Sequence, residues 1–80
     1  MALQSIRNTG KNVQTIMFTE NELILEVEVE LYKQEGALDH IETRLLSVFD
    51  TYKNHYVERT DFTHEQIDQF ENTAIGYCFE

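Results

Sequence analysis

Carboxylates are the most frequent reactive groups in this sequence, and several of them stand at nearly regular spacing in one short stretch. Glu26, Glu28 and Glu30 alternate with apolar residues, and Glu22 continues the row. Side chains two residues apart in a β-strand share a face, which would place these carboxylates about 6.6 Å apart. That step is commensurate with the phosphate repeat of a DNA strand, about 3.4 Å. The row can therefore imitate a nucleic-acid backbone, or it can simply keep a sheet face solvated and free of edge-to-edge aggregation.

A second acidic group follows near the carboxyl end of the chain and consists of Glu65, Asp68 and Glu71. Residues 20–32 and residues 61–80 each contain five acids and no lysine or arginine. Two such segments repel nucleic acid and anionic membranes and attract basic surfaces. We therefore predict a basic protein partner and no direct contact with nucleic acid or membrane. Tyr32, which follows the glutamate row, is a further candidate for the interface.

No catalytic or metal-binding motif accompanies these acids. The sequence contains no GxGxxG, GxxxxGK[ST], GxSxG or HExxH pattern. His64 and Asp68 are four residues apart, with Asp61 nearby, but such a cluster more often solvates the start of a helix than holds a metal. We predict a protein that is not an enzyme and has no metal or cofactor. Catalysis by Cys78 with a histidine as base stays open, because such residues meet in space and not in sequence.

Length and composition limit the class of protein. Eighty residues make one small acidic domain, residues 1–80, with a net charge of −9. With 41% hydrophobic residues, the chain is too apolar for a disordered acidic tail. One cysteine gives no intramolecular disulfide, and no apolar run approaches the roughly 18 to 20 residues that span a bilayer. The expected protein is soluble and cytoplasmic.

The glutamate row belongs to the stretch around which the predicted fold is organised, residues 22–33. Apolar residues alternate with the acids there, which predicts one half-buried strand; they are Leu23, Leu25, Val27, Val29 and Leu31. Two shorter strands are predicted before it, at residues 2–7 and 12–18, with turn-forming residues between them. The sequence therefore predicts a three-stranded antiparallel meander.

Two helices are predicted to follow and to pack on one face of the meander, which makes the fold class α+β. The first covers residues 37–56, because its apolar residues recur at helical spacing: Leu38, Ile41, Leu45, Val48, Phe49, Tyr52 and Tyr56. The second begins near His64, where Thr63 and Gln66 form a capping box. Its predicted inner face consists of Ile67, Phe70 and Ala74.

Two endings of the second helix are open on sequence alone. In one, Gly76 terminates the helix in a left-handed cap. In the other, the helix stops near Asn72 and residues 74–79 form a short fourth strand, since Ile75, Tyr77 and Phe79 also alternate.

Small acidic single-domain proteins without an evident catalytic site are often stoichiometric inhibitors. Examples are DNA mimics, anti-restriction and anti-CRISPR proteins of phages, and immunity proteins that mask toxic nucleases; the analogy is one of size and charge and covers no specific residues. It favours a non-enzymatic protein that occludes a basic, nucleic-acid-binding surface of its partner. The alternatives are an antitoxin or immunity protein that neutralises a nuclease toxin, a small structural or assembly subunit that forms a homodimer through its sheet edge, and an enzyme that uses dispersed acids.

Overall fold

The computed structural model describes residues 2–79 and contains a five-stranded antiparallel sheet and one α-helix. The strands lie in the sheet in chain order, so each pairs with its predecessor. Their bounds are β1 (Ala2–Gly10), β2 (Val13–Glu20), β3 (Leu23–Gln34), β4 (Ala37–Asp50) and β5 (His55–Tyr56). A short 3-10 turn (Arg59–Asp61) leads into helix α1 (His64–Cys78). The predicted meander of β1, β2 and β3 is confirmed, but the predicted total of three strands and two helices is wrong.

Tight turns connect β2 to β3 and β3 to β4. Asn21 and Glu22 have φ angles of 47° and 67°, and Glu35 and Gly36 have φ angles of 53° and 81°. Two-residue loops with both residues in this conformation match the twist of antiparallel strands, so each pair forms a narrow hairpin. Glu22 consequently lies in a turn, one residue before β3 begins, and not in the strand as predicted.

The predicted first helix is wrong, because its residues form β4 and β5 and the turn between them. Strand β4 pairs with β3 from Gln34 opposite Ala37 to Leu23 opposite Asp50. The pairing register shifts twice, so that Asp39 and Leu46 have no partner on β3. Each shift is a β-bulge, which changes the face on which the following side chains lie.

These two bulges explain why the pattern of β4 resembles that of a helix. Leu38, Ile41, Leu45 and Val48 pair with alternate residues of β3 and therefore share one face of the sheet. Their spacing of three, four and three residues is the period of an α-helix. The other residues of the predicted helical face lie elsewhere: Tyr52 is 81% exposed in the turn after β4, and Phe49 and Tyr56 lie on the opposite sheet face.

The second predicted helix is confirmed as α1, with the predicted start. The Thr63 hydroxyl accepts a hydrogen bond from the Gln66 backbone N–H at 3.2 Å, and the Thr63 backbone N–H donates to Gln66 Oε1 at 2.9 Å. Both predicted endings are wrong, since the helix continues to Cys78. Gly76 lies within α1 and has no positive φ, so it does not form a left-handed cap.

Helix α1 covers one face of the sheet, across β2, β3 and β4. Its buried residues Ile67, Phe70 and Ala74 are those predicted for its inner face. They complete a core with the buried sheet residues Ile16, Phe18, Leu25, Val27, Val29, Leu45 and Val48. Within residues 2–79 no element covers the opposite face of the sheet, which is the face that carries the glutamates.

Two glycines allow a matched test of this description. Gly36→Ala is expected to lower the free energy of unfolding by about 1 kcal/mol, because a side chain disfavours positive φ. Gly76→Ala is expected to raise it by about 0.5 kcal/mol, because alanine is the better helix former. A Cβ at either position would meet no atom within 4 Å, so backbone conformation alone decides the sign. Urea unfolding measures both, and shifts of the same sign would contradict the assigned conformations.

Candidate partner-binding surface

The sheet face opposite α1 is called the open face below. Directly paired residues of antiparallel strands lie on the same face, so the pairing register defines its members. They include acidic, basic, aromatic and aliphatic side chains: Arg7, Met17, Ile24, Glu26, Glu28, Glu30, Tyr32, His40, Glu42, Arg44, Ser47, Phe49 and Tyr56.

One half of the open face is acidic. Glu26, Glu28 and Glu30 occupy alternate positions on β3 and share this face, as predicted. Glu42 on β4 lies directly opposite Glu30, an addition that sequence analysis missed because residues 37–56 were predicted to be helical. A shallow depression of about 220 Å³ is lined by Glu28, Glu30, Glu42, Thr43 and Arg44. Like charges directly opposite each other destabilise a sheet, so this arrangement carries a cost in stability.

Two arginines modify the charge of the row. Arg7 Nη2 lies 3.4 Å from Glu26 Oε1, with the arginine side chain 60% exposed, and Arg44 stands opposite Glu28. Exposed ion pairs contribute little to stability, but they reduce the local field. On β4, His40 Nε2 lies 3.8 Å from Glu42 Oε1, so among the described residues the negative charge is least compensated at Glu30.

Tyr32 belongs to the same acidic half. Its ring stacks on that of His40, with centroids 4.4 Å apart and an interplanar angle of 8°. The interaction of its hydroxyl with the Glu30 carboxylate, with further effects of desolvation and of the nearby Glu42, raises the pKa of Tyr32 to about 12. The phenol is therefore neutral at physiological pH. It presents an aromatic surface beside the carboxylates, which is the combination expected at an interface.

The acids predicted on the second helix do not join this group. Glu65 and Asp68 are exposed on α1, which covers the other face of the sheet. Glu71 is half-buried and accepts a hydrogen bond from the Thr43 hydroxyl, so it contributes to packing of the helix on β4. The structure thus brings Glu26, Glu28, Glu30 and Tyr32 together, and it separates them from Glu22, Glu65, Asp68 and Glu71.

Neither a metal cluster nor a spanning helix occurs in the described part of the chain. Among residues 2–79, no group of three or more His, Cys, Asp or Glu side chains is arranged to hold a metal ion. In the same residues, no helix has the length and apolar character required to cross a membrane. No family model, curated protein or solved structure matches the chain.

Cys78 lies in the last turn of α1 and is half-buried against the core. Its Sγ donates to Gln14 Oε1 at 2.9 Å, and burial raises the pKa of the thiol. The thiol is therefore protonated at neutral pH and a weak nucleophile.

Cys78→Ala is expected to cost about 1 kcal/mol of stability through the lost hydrogen bond and packing, with no effect on partner binding. Urea unfolding and a binding assay measure the two effects. A normally folded Cys78→Ala protein without activity would support the alternative of a cysteine nucleophile.

Proposed function

We propose that this protein is a non-enzymatic binding protein whose open face occludes a basic surface of a partner protein. The observation that carries the proposal is that Glu28, Glu30 and Glu42 lie side by side on a sheet surface that no helix of residues 2–79 covers, with Glu42 exposed and Glu28 and Glu30 half-buried. Facing carboxylates lower the stability of the isolated domain. The cations of a basic partner would neutralise these carboxylates, so repulsion in the free protein would be replaced by attraction in the complex.

Nucleic-acid-binding proteins and nucleases are the favoured class of partner. They present arrays of lysine and arginine at the spacing of phosphates. Alternate residues of β3 set carboxylates about 6.6 Å apart, which is close to two phosphate steps along a DNA strand. An inhibitor of the DNA-mimic type and an antitoxin or immunity protein would use the same surface, and they differ in the identity of the partner. The single cysteine is a free thiol, which fits a reducing, cytoplasmic setting.

A structural or assembly subunit is the second candidate, and the edge strand β1 favours it. In the part of the chain that the structure describes, one side of β1 has no strand beside it in the sheet, and Leu3 and Ile6 on this strand are each 41% exposed. An unpaired edge with apolar side chains can pair with a second copy. Sedimentation of the purified protein and of Leu3→Lys distinguishes the two functions. A parent protein that is a dimer and a variant that is a monomer would favour the structural subunit.

Capture from a lysate of the source cells tests the leading proposal. A basic, nucleic-acid-binding protein or nuclease is expected to be retained at about 0.05 M salt and released near 1 M, because the Debye length falls from more than 10 Å to about 3 Å. Heparin, a polyanion, is expected to displace it. Partners that stay bound at 1 M salt and in the presence of heparin would contradict the proposal.

A further inference from the structure

The other half of the open face is apolar and concave. A pocket of about 290 Å³ is lined by Met17, Ile24, Glu26, Ser47, Phe49 and Tyr56. Strand β5 forms one wall, since it places Tyr56 beside Phe49 with ring centroids 5.1 Å apart and the rings nearly perpendicular, at 75°. Tyr56 is nevertheless 71% exposed. The pocket therefore presents aromatic and aliphatic surface to water, and burial of that surface by a partner is favourable.

Charge determines which occupant suits this pocket. Glu26 lines the pocket, and Glu28 and Glu30 continue from it along β3. A second copy docked on the same face would set carboxylates against carboxylates, in a chain whose net charge is already −9. A partner segment with an apolar side chain followed by basic residues avoids this repulsion, because its apolar side chain contacts the pocket and its basic residues contact the glutamates.

We propose that the pocket holds an apolar anchor side chain of the same partner segment whose basic residues contact the acidic half; this inference rests on the proposed function. Glu28 and Glu30 lie four and six residues beyond Ile24 on β3, which is about 13 and 20 Å. The partner segment therefore carries lysine or arginine at these distances from its anchor. Burial of the anchor adds affinity to that of the charge contacts, and the charges also set orientation and association rate.

A synthetic peptide tests this arrangement without knowledge of the natural partner. The probe is a fluorescent Gly/Ser/Thr peptide with a central tryptophan and arginines four and six residues to either side, a spacing that serves both chain directions. Its control replaces the tryptophan with alanine. Fluorescence anisotropy with the unaltered protein is expected to show at least tenfold tighter binding of the tryptophan peptide. This comparison needs no protein variant, so it is independent of any effect on folding.

Variants of the protein locate the anchor. Phe49→Thr with Tyr56→Thr is expected to remove the preference for tryptophan, because threonine keeps the strand propensity and deletes the aromatic wall. Leu3→Thr, which shortens an exposed apolar side chain on the opposite face, is the matched control and is expected to keep the preference. A preference that survives the double substitution would overturn the inference.

The remaining outcomes separate this inference from the proposed function. If both peptides bind with equal affinity and that affinity falls as salt rises, the proposed anchor is overturned and the proposed function is left intact. Tighter binding of the tryptophan peptide with an affinity that does not change with salt supports the pocket and counts against the proposed function. Failure of both peptides to bind overturns the inference. If the parent protein is a dimer and Phe49→Thr converts it to a monomer, the inference is also overturned, because the pocket then holds a second copy.

Discussion

Val27→Asp is expected to unfold the domain under conditions in which the parent is folded. Val27 is fully buried, and it pairs with Ile16 and Leu45 at the centre of the sheet face that α1 covers. A buried carboxylate without a partner costs several kcal/mol, which is comparable to the total stability of about 5 to 10 kcal/mol expected for a domain of this size. Circular dichroism during thermal unfolding measures the effect.

The neighbouring residue provides the control for this substitution. Glu28→Asp places the same aspartate one position further along β3, on the open face, where Glu28 is only half-buried. We expect this variant to melt within a few degrees of the parent, because the carboxylate stays in contact with water. Equal melting of Val27→Asp and the parent would show that the faces of β3 have been assigned incorrectly.

Charge reversal on the open face is expected to have the largest effect on binding. Glu28→Lys/Glu30→Lys/Glu42→Lys should weaken the affinity for the captured partner at least a hundredfold, because attraction is lost and repulsion is added at three positions of about 1 kcal/mol each. The far-ultraviolet circular dichroism should remain that of the parent, since all three side chains point away from the core. Titration calorimetry with the purified partner measures the affinity.

An equal change in net charge elsewhere on the molecule is the control. Glu58→Lys/Glu65→Lys/Asp68→Lys reverses three exposed acids that lie outside the open face. Glu71 is left unchanged, because it accepts a hydrogen bond from Thr43. We expect this variant to lose less than tenfold in affinity, through long-range steering only. Equal losses in the two variants would mean that the partner responds to the whole negative surface and not to the open face.

The parts of the fold that follow from local sequence were predictable. The alternation in residues 22–33 indicated a half-buried strand, and Thr63 with Gln66 indicated the start of α1. Strand β4 was not predictable from periodicity, because its bulges at Asp39 and Leu46 move the inward residues into helical spacing.

A turn signal for β4 was nevertheless present in the sequence. Asp50 Oδ1 accepts hydrogen bonds from the backbone N–H groups of Tyr52 and Lys53 at 2.9 and 3.0 Å, and Asn54 has a φ of 58°. An aspartate followed four residues later by an asparagine is typical of such a reversal. The spacing of the apolar residues outweighed this signal in the prediction of a helix through residue 56.

The candidate surface was predictable only where it lies within one strand. The carboxylates of Glu26, Glu28 and Glu30 share a face because of their spacing along β3. The rest of the surface depends on how neighbouring strands pair, and it consists of Glu42, Arg44 and the apolar pocket built by Met17, Ile24 and Phe49. That register depends on the hairpin turns and on the two bulges in β4.

Carboxylate footprinting of the complex is the most direct test of the claim that the open face is the binding surface. Free protein and partner-bound protein are labelled with a carbodiimide and an amine, and modification of each acid is measured by mass spectrometry. Glu28, Glu30 and Glu42 are expected to be protected by the partner, while Glu65 and Asp68 are labelled equally in both states. Protection of the α1 acids without protection of the three open-face glutamates would contradict the account.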